Sequence, residues 1–310
     1  DKLFFSVWRN VFLRNEISNH LELFINENHT FDSIEEYTTH PKKFYFTSVT
    51  LNITEKLNRN VLSNSIESLT FGDGFNHEIE EGSLPASIRV LSLGGFDKPL
   101  KPGDIPLSVK SLLLNGFNQP LKEGDIPSSV EFLYFGNGFN CTLTPGVIPS
   151  SVQVLIFLNF NQPLEVGDIP SSVKALSLGS SFNHPLGEGV LPSSIKTLAL
   201  SEVMQVTPES IVIPPSVTAL TYSINSELNA GNIPPTVNIL EFGNSFNQPL
   251  KQGDIPSSVE EIIFGDNFNQ PLKQGDIPTS VRTLTFGYFF SQTLKSGDIP
   301  ASVEIIQFVN

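Results

Sequence analysis

The 310 residues carry 18 lysines and arginines against 32 aspartates and glutamates, a formal net charge of −14. Such a surface repels phosphate, which argues against nucleic acid and anionic membranes as partners. One cysteine, Cys141, excludes an intrachain disulfide framework, and no apolar run reaches the length that spans a bilayer.

Residues 1–45 form the first predicted unit, a helical N-terminal cap. Leu3, Val7 and Val11, with Phe4, Trp8 and Phe12, fall at i, i+4 spacings, as do Leu21 and Ile25. That spacing lays one apolar stripe along a helix. Ser33 with Glu36 reads as a capping box that opens a further short helix, and Pro41 closes it. The sequence opens on Asp1 rather than Met, as a segment of a longer chain would. The lack of disulfides points to an intracellular, cytoplasmic setting.

From residue 46 onward the chain repeats. The dipeptide Ile/Leu-Pro recurs eleven times between Leu84-Pro85 and Ile299-Pro300, at intervals of 20 to 22 residues. A typical unit runs I-P-S-S-V-x-x-L-x-F-G-x-x-F-N-Q-P-L-x-x-G-D, and its V-x-x-L-x-F core matches that of a leucine-rich repeat. Read in register, the unit predicts 13 strands, starting at Phe46, Ile66, Ile88, Val109, Val130, Val152, Val173, Ile195, Val217, Val237, Val259, Val281 and Val303. The x-L-x-F stretch alternates with period 2, as a strand buried on one face requires.

Gly after the strand (Gly72, Gly136, Gly243, Gly265, Gly287) permits a tight bend, with positive φ as the expected reason. The following Phe (Phe75, Phe96, Phe117, Phe139, Phe160, Phe182, Phe246, Phe268) turns inward. The adjacent Asn76, Asn118, Asn140, Asn161, Asn183, Asn247 and Asn269 are expected to form a structural ladder that satisfies buried backbone groups of neighbouring coils. Two prolines within nine residues bar a helix from the return arm. The fold class is therefore a mostly β solenoid of about 13 coils over 46–310. It is a leucine-rich-repeat-like horseshoe with a parallel sheet on its concave face and an extended, polyproline-like convex side. Residues 195–232 depart from the unit, with Met204 and Val206 where Asn and Pro are expected, and irregular geometry is predicted there. No polar cap follows Val303, so the last coil is expected to be uncapped.

The segment G-x-x-F-N-Q-P-L-x-x-G-D-I-P-x-S-V, clearest at 243–259 and 265–281, resembles the FNIP repeat, a short leucine-rich repeat of social amoebae and giant DNA viruses. Residues 3–17 also look like the segment that precedes such arrays. The resemblance implies a protein-interaction role, including substrate capture for a ubiquitin ligase, since some viral relatives pair these repeats with an F-box. Residues 1–45 show no F-box pattern.

No motif for catalysis stands out. His77 and His184 occupy the slot filled by Gln119, Gln162, Gln248 and Gln270, and His20, His29 and His40 lack metal-ligand spacing. Asp104, Asp125, Asp168, Asp254, Asp276 and Asp298 share one repeat position. Paired carboxylates on a β-helix can cleave sugars, so a carbohydrate-active enzyme is the weaker alternative. Recurrence in so many units favours scaffold, with Lys101, Lys122, Lys251, Lys273 and Lys295 as solvated charge partners three residues before an Asp. No enzyme, cofactor or metal is expected.

The open face of the sheet is mostly small or polar. Three consecutive coils break that rule with Leu113, then Phe132 and Tyr134, then Val154 and Ile156, flanked by Arg89 and Lys110. A contiguous apolar cluster with aromatics is the predicted binding site for a protein partner. A homodimer through the uncapped C-terminal coil is the structural alternative.

Overall fold

In a computed structural model, residues 28–200, 207 and 210–309 are described. The proposed helical stripe at 3–25, His20, and Met204 and Val206 lie outside them.

The described residues form one sheet of fourteen parallel strands in chain order. They are β1 (Asn28–Phe31), β2 (Ser48–Leu51), β3 (Ser68–Phe71), β4 (Val90–Leu93), β5 (Ser111–Leu114), β6 (Phe132–Phe135) and β7 (Val154–Phe157). The sheet continues with β8 (Ala175–Ser177), β9 (Thr197–Ala199), β10 (Ala219–Tyr222), β11 (Ile239–Phe242), β12 (Glu261–Ile263), β13 (Thr283–Phe286) and β14 (Ile305–Phe308). Parallel neighbours one coil apart make a mostly β, leucine-rich-repeat-like solenoid. Thirteen of these strands begin two residues after the predicted Val, Ile or Phe, which is itself buried just before the strand in all but the last.

β1 was expected to belong to the helical cap. It pairs in parallel with β2, from Asn28↔Ser48 to Phe31↔Leu51. Only Phe31 of its four residues is buried, so a period-2 apolar pattern never arises in the sequence. The short helix is present as α1 (Ile34–Thr39), whose N-cap Ser33 side chain accepts from the Glu36 N–H. The Glu36 carboxylate reaches past the cap to accept from the Asp32 N–H at 2.9 Å. α1 and a 3-10 turn at Lys43–Tyr45 are the named helices among the described residues.

Each coil sends the same side chains inward. In the coil of β12 these are Val259, Ile262, Phe264, Phe268, Leu272 and Ile277, all buried. The rings stack along the solenoid axis: Phe96, Phe117 and Phe139 follow one another at 6.2 Å, with interplanar angles of 3° and 10°. No coil could bury this surface alone, so stability is shared between neighbours.

The glycines divide into two classes. Gly136, Gly265 and Gly287, after the strand, are not at positive φ. They are small because coils touch: a methyl on Gly265 would lie 2.6 Å from the Gly243 carbonyl, and one on Gly287 2.4 Å from that of Gly265. Positive φ falls instead on the Gly of the G-D turn, as at Gly103 (96°) and Gly275 (95°), while Gly179, after β8, combines positive φ (73°) with the close contact. In the G-D turn the chain places Gly at its third position, where φ must be positive.

Within 195–232, where irregularity is expected, the strands keep their pairing. β9 and β10 pair in normal register, Ala219↔Thr197 through Thr221↔Ala199. Among the described residues the departures are the parallel bridge of Ile211 to Leu186 before β10 and the shortened bend after it, where Ile224 is buried in place of Phe.

Candidate interaction surface

Strand alternation turns Leu112, Leu133 and Leu155 into the core and leaves their neighbours on the open face. The pairing register then sets two rows. Ser111, Phe132 and Val154 lie side by side, as do Leu113, Tyr134 and Ile156. All five predicted apolar residues are thus adjacent and half-buried. Cross-strand contact with one another accounts for part of that burial and stabilises the sheet.

Two members were missed in the sequence. Val90 adjoins Ser111 and is 38% exposed; Leu158, one pleat beyond Ile156, is 37% exposed. Leu158 was legible as a departure, because the same slot holds Gly94, Asn115 and Gly136 in the preceding coils.

The residue just before each strand forms a third row, tied coil to coil by backbone hydrogen bonds. The Lys110 N–H donates to Arg89 O, Glu131 to Lys110, Gln153 to Glu131, Lys174 to Gln153, and Lys196 to Lys174, at 2.7–2.8 Å. The predicted Arg89 and Lys110 stand in this row, and Lys110 Nζ is held by the Glu131 carboxylate at 2.7 Å. Lys174 and Lys196, on the other side of the apolar cluster, were not anticipated.

The repeated polar residues serve the scaffold. The Asn140 N–H donates to Asn118 Oδ1 at 2.9 Å, Asn161 to Asn140 at 2.8 Å, Asn183 to Asn161 at 3.0 Å, and Asn269 to Asn247 at 2.9 Å. Asp97 continues this ladder between Asn76 and Asn118, and Asn225 supports Asn247. Most of these Asn residues are exposed, so the ladder runs along the surface of the solenoid. A second, unforeseen ladder buttresses the next turn: Ser151, Ser172 and Ser194 hydroxyls each donate 2.7 Å to a carbonyl one coil back.

The recurring aspartates close turns. Asp104, Asp125, Asp254 and Asp276 are buried, and each carboxylate accepts the backbone N–H of the lysine three residues earlier at 2.7–2.8 Å. The expected solvated Lys–Asp pairing is therefore corrected. The lysine supplies its backbone, which is why Glu165 serves Asp168 equally well, and the Lys101 and Lys251 ammonium groups pair with Glu78 and Glu227 instead. Burial raises the Asp104 and Asp276 carboxyls above the usual range. His77 Nε2 and His184 Nε2 contact Thr54 O and Asn161 O, as Gln270 contacts Asn247 O. Among the described residues no group of His, Cys, Asp and Glu is placed to hold a metal, and no helix is long and apolar enough to cross a membrane.

The FNIP Repeat profile matches residues 55–95, 117–159, 160–202, 209–245 and 246–289. The chain belongs to the FNIP-repeat family. This FNIP solenoid is similar to CroV588, a circular leucine-rich-repeat protein of the giant virus CroV. The TM-score is 0.73 and the identity 30%, over 91% of this chain and 42% of that one. It thus spans less than half the length of that protein. YopM, a leucine-rich effector of Yersinia pestis, matches at 16% identity over 84% of this chain and 83% of its own, with a TM-score of 0.43. No curated protein gives a significant match.

Proposed function

We propose that this FNIP solenoid is a non-catalytic protein-interaction module that holds a partner on the open face of β4–β8. The observation that carries it is the contiguous cluster of Leu113, Phe132, Tyr134, Val154 and Ile156, with Val90 and Leu158 at its margins; elsewhere on this face the large apolar residues, Ile239, Ile263 and Ile305, stand singly. Aromatic side chains in such a cluster contribute most to binding when a partner excludes water from them. The single cysteine suits an intracellular setting. The test is affinity purification from host cells with the chain and its Phe132→Glu/Tyr134→Lys variant. Proteins retained by the first and lost by the second, with unchanged circular dichroism, support the site; equal retention rejects it. Ubiquitin-ligase subunits among the retained proteins would extend the reading to a substrate adaptor, as the family resemblance implies.

A second reading, self-association, rests on β14. Its Ile306 and Phe308 are 45% and 50% exposed, whereas Leu284 and Phe286, their partners on β13, are fully buried. Tyr288 and Phe289, also exposed, lie in the preceding coil, where Asp266 and Asn267 stand one repeat earlier. An apolar edge strand pairs readily with another chain, and a second copy is the occupant this reading takes.

A further inference from the structure

The charge around the apolar cluster runs against that of the whole chain. In the row that precedes the strands, Arg89 and Lys110 stand on one side of Phe132 and Val154, and Lys174 and Lys196 on the other. All four are exposed, with Glu131 as the one acid among them. Gln153 accepts a hydrogen bond from Lys174 at 3.1 Å and carries no charge of its own. The two face rows between β4 and β9 add no acid at all: their residues are Val, Ser, Phe, Ala and Thr, then Ser, Leu, Tyr, Ile and Ala. Further along, the sign reverses. The same three rows over β11–β14 carry Glu241, Glu260, Glu261 and Glu304, with Arg282 bonded to Glu304.

A cationic stretch of this kind, in a chain of net charge −14, coincides with the coils that carry Phe132 and Tyr134 on the open face. Resting on the open-face reading above, we infer that the bound segment is acidic as well as apolar: a short stretch of a partner protein with aspartates or glutamates beside aromatic or aliphatic side chains. Its apolar groups cover Phe132, Tyr134 and Ile156, and its carboxylates reach the ammonium and guanidinium groups of Arg89, Lys174 and Lys196. Charge arranged in this way steers encounter and selects partners more than it adds affinity. A nucleic acid would meet the same cations, but its long phosphate backbone would also run over the acidic coils of β11–β14, which repel it. A short acidic peptide is confined to the favourable stretch, since adjacent coils repeat at about 4.8 Å and six coils span roughly 25 Å.

The experiment is a selection of random dodecapeptides displayed on phage against the 310-residue chain. Winning peptides are then titrated against that chain, Phe132→Glu/Tyr134→Lys and Lys174→Glu/Lys196→Glu, each shown to be folded by circular dichroism. The expected winners combine acids with Phe, Tyr, Trp or Leu. They lose about tenfold or more in affinity on either double substitution, and weaken as NaCl rises from about 50 to about 300 mM. Neutral or basic winners that depend only on Phe132 and Tyr134 overturn the acidic preference and leave the open-face site standing. Winners indifferent to both variants, or no winners, overturn the site and the inference together. Binding of a labelled oligothymidylate through the same lysines would replace the peptide by a nucleic acid and overturn the inference.

Discussion

At Asp276 a carboxylate is buried for a structural purpose. It accepts the Lys273 N–H at 2.7 Å and so closes a turn already closed once by the Asp276 N–H on Lys273 O at 3.1 Å. Burial raises its pKa above the ordinary carboxyl value, with the neighbouring Asp254 and Asp298 adding to the shift. A raised folded-state pKa means that the folded chain binds protons more readily than the unfolded one. The contribution is fully present below the unfolded value, about 3.9, and is lost as pH rises through the folded value. Asn232 already shows the neutral alternative, accepting the Asn229 N–H at 2.7 Å. Asp276→Asn is therefore expected to hold or slightly increase stability at pH 7 and to flatten its dependence on acid. Asp276→Ala should lose about 1–3 kcal/mol, because the Lys273 N–H loses its acceptor. Urea unfolding of both variants at pH 4 and pH 7 checks this; equal losses for Asn and Ala would contradict it. The repeat position marked Asp276 as scaffold, yet nothing in the spacing revealed that its partner is a backbone N–H. The Lys–Asp recurrence suggested side-chain pairing because it is the more visible pattern.

Among the elements, the stacked phenylalanines form the spine. Phe117 is fully buried between Phe96 and Phe139. Truncation leaves a hole that adjacent coils, fixed by their own strand pairing, cannot close. Phe117→Ala is expected to cost about 3–5 kcal/mol, and Phe117→Leu clearly less, read as shifts in urea midpoint at constant slope; similar shifts for both would argue against a stacked spine. The inward Phe positions were legible because one residue type recurs three or four residues after the x-L-x-F stretch, immediately before the ladder residue. At the coil of β10 that signal fails: Ile224 is buried just before the ladder residue Asn225, and the spacing there has shrunk to 20 residues. The strands themselves survive because β9, β10 and β11 keep their register. Length change is absorbed by the bend after the strand: Tyr222 is three residues from Asn225 where Phe242 is five from Asn247, and the return arm from that Asn to the next Ile-Pro stays at eight. β1 was hidden for the opposite reason, since a strand with one buried residue carries no alternation to detect.

At the scale of the array, β14 is the last strand among the described residues, and its apolar side chains are exposed. If β14 pairs with a second copy, the sedimentation coefficient of the chain should rise with concentration over the micromolar range, and Phe308→Glu should hold it at the monomer value. A monomer throughout for the unaltered chain would reject self-association. The open face is independent of that edge, so Phe132→Glu should leave sedimentation unchanged.

The repeat determined by itself that the chain is a β solenoid, which residues face its core, and that its Asn, Asp and His residues recur as parts of a unit. These follow from local period and punctuation, which need no knowledge of neighbours. Tertiary structure decided what depends on the register between coils. That register sets which glycine is small for φ and which for contact, and places Val90 and Leu158 beside the predicted cluster. It also aligns Arg89, Lys110, Lys174 and Lys196, separated by as much as five repeats in the chain, in one row that brackets the cluster.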